Sequence, residues 1–350
     1  MPETPATRAG LRPLPANASP STTRAMSAPL RVGLVGAGHF GRFHALKIVA
    51  SPRATLAGVH DHNAVHADAV ARETGAPVLA LPDLLAASDA IIVAVPAAAH
   101  HPIAAIALRA GKHVLVEKPI ATTLTDADDL VSLAARHRRL LQVGHLERFS
   151  AANGALSGRA GTPLYIEATR IGAFKQRGTD VSVVLDLMIH DLDLILTLTG
   201  SDIESVEAIG APIVSAQDDM ANARIRFASG AVATITASRV ASRTERRMRI
   251  FGPDGYVTVD FANRRLHVIR RERGDPVPTL PGFGAESVSW EDHDALAAEQ
   301  EAFFASILDG APVAVDAAAG RRALAAALAV SDAIAESRTR MAASGLLKPH

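Results

Sequence analysis

A glycine-rich turn constrains this chain more than any other feature. The apolar run Leu30–Val35 leads directly into Gly36-Ala37-Gly38-His39-Phe40-Gly41, and an amphipathic segment through Phe43, Leu46 and Ile48 then runs to Pro52. This is G-x-G-x-x-G set between a predicted strand and a predicted helix. The first glycine permits the tight turn, the second lets a pyrophosphate approach the backbone, and the third lets helix and strand pack closely. The start of the helix, with His39 and Phe40 in it, turns its positive dipole end towards the phosphates.

The residues that follow extend the pattern. A second strand, Thr55–Val59, is followed by Asp61, twenty residues after Gly41. A carboxylate there accepts hydrogen bonds from ribose hydroxyls and repels a 2′-phosphate, so NAD is expected rather than NADP. The other reading of Asp61 is a helix N-cap, since a helical pattern begins at Asn63. Ala90–Val95 reads as a fully buried strand that ends at Pro96, with His100 four residues on. A helix over roughly 101–110, a strand at 113–116, a helix over roughly 126–139 and a strand near 140–143 complete the alternation. Such alternation predicts a doubly wound parallel sheet with right-handed crossovers. The strand at 113–116 delivers Glu117-Lys118-Pro119. A lysine at that end of a late strand enters the cofactor crevice, where it suits chemistry on a bound substrate. A surface lysine before a turn proline is the plainer reading.

At 350 residues and 48% hydrophobic, the chain is long enough for two domains. Its 36 basic and 36 acidic residues cancel, so nothing global points to nucleic acid or to a membrane surface. The absence of cysteine excludes disulfides and thiol chemistry and fits a cytoplasmic protein. No run approaches the ~20 apolar residues of a membrane span. Residues 1–30 are rich in Pro, Ala, Ser and Thr and read as a disordered tail or an overextended start with Met26 as initiator. An ordered arm that clasps a neighbouring subunit is the alternative.

The second half changes character. A strand at 164–170 and a polar loop precede a helix at roughly 180–198. Strands recur near 204–209, 222–228, 231–238, 246–251 and 256–260, with turns at Ser229-Gly230 and Pro253-Asp254-Gly255. This predicts a large, mostly antiparallel sheet with one helix against it. Helices at 294–308 and 319–335 are expected to return to the first domain. Asp186 and His190 are four apart and share one helix face. Oxidising a secondary alcohol needs a proton acceptor on oxygen, which an imidazole near neutrality supplies. Asp186 can orient that ring or a hydroxyl, and Lys118 can favour an alkoxide-like transition state. A helix histidine bonded to Asp186, Asp191 or Asp193 is the alternative. Hydride transfer to a nicotinamide needs no metal, and none is expected.

These residues together resemble the glucose–fructose oxidoreductase / inositol dehydrogenase / rhizopine-catabolism family. The resemblance is carried by Gly36–Gly41, Pro96 with His100, Ala110–Val114 running into Glu117-Lys118-Pro119, Gly144 with Arg148-Phe149, and Asp186–Asp191. It covers about residues 31–340. Within the family the chain is most similar to the UDP-N-acetylglucosamine 3-dehydrogenases of the lipid A diaminosugar pathway, through Val143–Phe149, Arg170–Asp180 and Val184–Asp193. The resemblance implies an NAD-binding Rossmann domain at 31–150, an α+β substrate and oligomerisation domain at 151–293, and C-terminal helices at 294–350. Gly36, Gly38, His39, Phe40, Gly41, Asp61, Pro96, His100, Glu117 and Lys118 are the expected cofactor contacts. Lys118, Arg148, Arg170, Lys175, Arg177, Asp186 and His190 are the expected substrate contacts. A nucleotide-sugar carries a diphosphate, which guanidinium groups suit, although loop charges also serve simple solvation. A homodimer or homotetramer through the open sheet is implied. Oxidation of inositol or a free sugar is the alternative activity, and a non-catalytic ligand sensor is the alternative class.

Overall fold

The computed structural model describes residues 28–175, 181–291 and 293–346. The described residues fall into two compact units. One holds residues 28–150 and 294–324, and the other holds 151–293 and 325–346.

The first unit starts with β1 (Leu30–Val35), α1 (His39–Ala50) and β2 (Ala54–His60). Helices α2 (Ala64–Thr74) and α3 (Leu81–Ala87) precede β3 (Ala90–Val93). Then come α4 (His100–Arg109), β4 (His113–Glu117), α5 (Leu124–His137) and β5 (Leu141–Gly144). The five strands pair in parallel in the order β2-β1-β3-β4-β5. All four residues of β3 are buried, as a strand covered by helices on both faces must be. The strand order reverses at β1, and in such sheets the ligand crevice lies outside the carboxyl ends of the strands at that point.

The second unit opens with α6 (Ala151–Leu156) and β6 (Tyr165–Ile171). A π-helical turn over Val184–Met188 runs into α7 (Ile189–Thr199). The sheet then continues through β7 (Ile203–Ala211), β8 (Met220–Phe227), β9 (Val232–Ser238), β10 (Glu245–Gly252), β11 (Gly255–Asp260), β12 (Arg265–Arg271), β13 (Asp275–Pro276) and β14 (Phe283–Ser289). The order is β13-β14-β12-β11-β10-β6-β9-β8-β7, and only the β6–β9 pair is parallel. Strict alternation buries Ala221, Ala223, Ile225 and Phe227 of β8 and Ala233, Ile235 and Ala237 of β9 on one face. Helix α7 contributes buried Ile189, Leu192, Ile195 and Leu196. Tyr165, Phe251 and Tyr256 form an aromatic ladder with centroids 5.9 and 5.5 Å apart.

Two further helices close the chain, α8 (Ala295–Leu308) and α9 (Ala317–Ala343). Phe303 and Phe304 of α8 are fully buried in the first unit's core with Val32, Leu34, Ala45 and Ile48. The fold is the expected α/β Rossmann sheet with an α+β unit on a large, mostly antiparallel sheet. Strands β12 and β14 were not foreseen. In β14 only Gly284 is buried, so no apolar alternation marks it, and pairing with β12 is what holds it.

Candidate active site

The glycine turn has the backbone that its sequence demands. Gly36 has φ +97°, and a Cβ there would lie 2.4 Å from the Ala94 carbonyl oxygen. Any other residue would be both strained and blocked. At Gly41 a Cβ would stand 1.9 Å from the Gly36 oxygen, so this glycine lets α1 close onto β1. Gly38 differs, because a Cβ there meets nothing within 4 Å. Its lack of a side chain serves no protein contact and leaves the helix end open. Helix α1 begins at Gly38 with no side-chain cap and no acid in its first turn. Its leading N–H groups and dipole are therefore left for an anion.

Asp61 is tied to this turn. Its carboxylate accepts from Ala37 N at 2.6 Å and Asn63 N at 2.8 Å. The N-cap of α2 is Asn63, whose side chain accepts from Val65 N. Asp61 thus stands at the end of β2 with capacity left on both oxygens, as ribose recognition requires. These features fit a dinucleotide, and Gly38 with the start of α1 are the residues that would hold its pyrophosphate.

At the end of β4, Glu117 and Lys118 are both half-buried, and the Lys118–Pro119 bond is cis. Glu117 Oε1 lies 2.7 Å from His44 Nε2. His100 is 1% exposed. Its ring nitrogens stand 2.6 Å from the Pro119 oxygen and 2.9 Å from the Val95 oxygen. Burial lowers its pKa, opposed by those two carbonyls. The neutral ring carries one N–H and so donates to one of those carbonyls, and its burial between the ends of β3 and β4 suits a positioning part. Pro96 is exposed at the start of the following 3₁₀ turn, His39 is exposed on α1, and Phe40 packs edge-on to His44 at 5.4 Å. Arg148 is half-buried on a 3₁₀ turn, Leu146–Phe149.

In the second unit, Asp186 lies in the π-helical turn and His190 in the first turn of α7, both half-buried. Single π turns inside helices recur at functional sites. Asp191, one of the carboxylates considered for His190, is engaged elsewhere. Arg170 binds it with Nε–Oδ2 2.8 Å and Nη2–Oδ1 3.0 Å, and both side chains are nearly buried. A buried bidentate pair of this kind fixes α7 on β6. We therefore assign Arg170 to holding the helix that carries His190. Lys175 is exposed on the loop after β6, and Arg177 lies outside the described residues.

No sequence motif marks the group behind Glu117. His44, Gln142, Glu299 and Gln300 are buried there, from α1, β5 and α8. Gln300 is 256 residues from its partner His44, and no local pattern announces a contact at that range.

Known proteins resemble this chain over most of its length. The oxidoreductase family with an NAD-binding Rossmann fold matches residues 30–145, and the GFO/IDH/MocA C-terminal domain matches residues 135–258. A UDP-N-acetylglucosamine 3-dehydrogenase of Acidithiobacillus ferrooxidans is 44% identical over 307 residues, covering 87% of this chain and 97% of that protein. A crystal form of that enzyme superposes with TM-score 0.83 at 42% identity, over 88% of this chain and 98% of the other. An inositol 2-dehydrogenase of Rhizobium meliloti is 29% identical, covering 88% of this chain and 98% of that protein. A Lactobacillus casei scyllo-inositol dehydrogenase with bound NAD(H) and scyllo-inositol shares the fold, with TM-score 0.72 at 23% identity over 89% of this chain and 98% of the other.

Proposed function

The chain belongs to the GFO/IDH/MocA oxidoreductase family, and on that premise we propose that it oxidises the 3-hydroxyl of UDP-N-acetylglucosamine to the 3-keto sugar nucleotide. It is an NAD-dependent oxidoreductase acting on CH–OH. The observation that carries the substrate is the near full-length match to an enzyme of that activity.

Bound NAD supplies the hydride acceptor, and the chain's own residues do the rest. Gly38 and the bare start of α1 seat the pyrophosphate, and Asp61 takes the ribose. His190 accepts the hydroxyl proton, Asp186 orients the ring or the sugar, and Lys118 steadies the oxygen as negative charge develops. Arg148, Lys175 and Arg177 are the candidates for the diphosphate. A part in lipid A diaminosugar synthesis, a cytoplasmic location and a homodimer or homotetramer on the open sheet complete the same reading.

The test follows the absorbance of reduced cofactor across UDP-sugars, free sugars and inositols. UDP-N-acetylglucosamine should be oxidised fastest, and UDP alone should compete. The second reading is oxidation of an inositol, favoured by the match to inositol 2-dehydrogenase. It takes over if an inositol or free hexose is the fastest substrate and UDP does not inhibit.

A further inference from the structure

Glu299 is a fully buried residue on α8, and among the described residues neither of its carboxylate oxygens has a hydrogen-bond partner. An ionised carboxylate has no place in such a site, because neither water nor a donor compensates its charge. Its surroundings are unusually well defined. Gln300 gives its amide N–H groups to His44 Nδ1 at 2.9 Å and to the His44 carbonyl oxygen at 3.1 Å. Nδ1 therefore accepts, and the ring hydrogen sits on Nε2, aimed at Glu117 Oε1 at 2.7 Å. A Cβ at Gly144 would lie 3.0 Å from three atoms of the Glu117 carboxylate, so the end of β5 forms a flat floor under it. The His44 nitrogen and the oxygens of Glu117 and Glu299 lie within 4.8 Å of one another. The β5 side chain of Gln142 fastens the backbone oxygen of Glu299 at 3.1 Å.

We propose that Glu299 is a neutral carboxylic acid that donates its proton to the Glu117 carboxylate, directly or through one water, and so acts as a positioning residue for Lys118. His44 grips one side of Glu117 and Glu299 the other. With two donors the carboxylate is locked, and the chain leaves β4 towards Lys118 from a fixed point. Burial, and then the negative charge of Glu117, push the Glu299 carboxyl well above the usual range. Among the described residues, ionisable groups on the elements packed against α8 are His39, Arg42, His44 and Lys47 of α1, Glu117 at the end of β4, and His145, Glu147 and Arg148 around the turn after β5. Lys47 is paired with Asp294. The kinetic half of the idea rests on the active-site reading of Lys118; the protonation half does not.

Glu299→Gln and Glu299→Ala in the full chain test both halves. A carboxyl raised in the folded state contributes stability that is fully present below the ordinary Glu value. That contribution is lost as pH rises through the raised folded value. Glutamine keeps its N–H at every pH. Denaturant unfolding should therefore show Glu299→Gln equal to wild type at acid pH and losing less stability as pH rises. Equal pH slopes for the two proteins would overturn the neutral acid. Metal analysis of purified wild type and Glu299→Gln gives the other decisive outcome, since a stoichiometric divalent ion held only by wild type would replace the proton with a cation. For positioning, kcat is measured against pH with whichever substrate the preceding screen finds. Glu299→Ala should lose roughly tenfold in kcat through the ungripped Glu117, while Glu299→Gln restores it to within about twofold and extends the alkaline limb. Equal loss in both variants would overturn positioning. An enzyme that prefers inositol would overturn the substrate reading and leave this one standing.

Discussion

The glycine turn at residues 36–41 and the helix entry that carries Asp186, His190 and Asp191, with Arg170 paired to it, differ in how function is written into them. In the turn, the space around a Cβ decides each glycine's part. Two of them meet backbone oxygen at 2.4 and 1.9 Å, and the third meets nothing within 4 Å. In the helix entry, the charges of Arg170, Asp186, His190 and Asp191 can be paired in several ways. Only the folded chain selects Arg170 with Asp191. Missing side chains are read from the backbone alone, whereas charged side chains take their meaning from partners elsewhere.

The sharpest way to break that contrast lies inside the turn. Gly38→Val should fold as wild type, because open space surrounds the new side chain, yet should weaken NAD binding by roughly a thousandfold or more by excluding the pyrophosphate. Gly41→Ala should instead cost about 3 kcal/mol of stability, since its Cβ collides with a backbone oxygen. Calorimetric NAD titration beside denaturant unfolding checks both. Retained NAD affinity in Gly38→Val would show that this turn does not hold the phosphates.

The helix entry gives the next largest effect. Arg170→Ala leaves Asp191 charged, buried and without its bidentate partner, at a cost of about 3–5 kcal/mol in denaturant unfolding. Replacing both partners by Met and Leu should recover much of it. Unchanged stability with a raised KM for a UDP-sugar would return Arg170 to the substrate.

The same contrast explains what the chain disclosed before folding. The parallel sheet was legible because buried strands such as Ala90–Val93 alternate with amphipathic helices, and the antiparallel sheet because β8 and β9 alternate strictly. Spacing from Gly41 singled out Asp61, and in the fold its carboxylate accepts from Ala37 N of the glycine turn. His44 was not, since its meaning comes from Gln300 and Glu117, far away in sequence. His100 was singled out as a cofactor contact, but a spacing cannot tell a ring that meets cofactor from one buried between two backbone carbonyls.

Catalysis comes third in size. Lys118→Met and His190→Ala should each lower kcat by roughly a hundredfold, the loss expected on removing electrostatic or general-base help. NAD affinity should stay within a few-fold of wild type. Normal turnover in either variant removes that residue from the chemistry. If both act on one reacting oxygen, the double variant should lose far less than the product of the single losses.

The smallest expected effect is the most informative about substrate class. Lys175 is exposed on the loop after β6. A charge-assisted contact to a diphosphate contributes about 1.5–3 kcal/mol when desolvated, and less where the lysine stays solvated. Lys175→Ala should therefore raise KM for UDP-N-acetylglucosamine by about tenfold and weaken inhibition by UDP in proportion. Stability should not move, and any residual oxidation of the free sugar should keep its rate, because neither involves the diphosphate. The three measurements together separate a phosphate contact from a solvated loop charge. A KM and a UDP inhibition constant both equal to wild type would make Lys175 a bystander and pass the diphosphate to other residues.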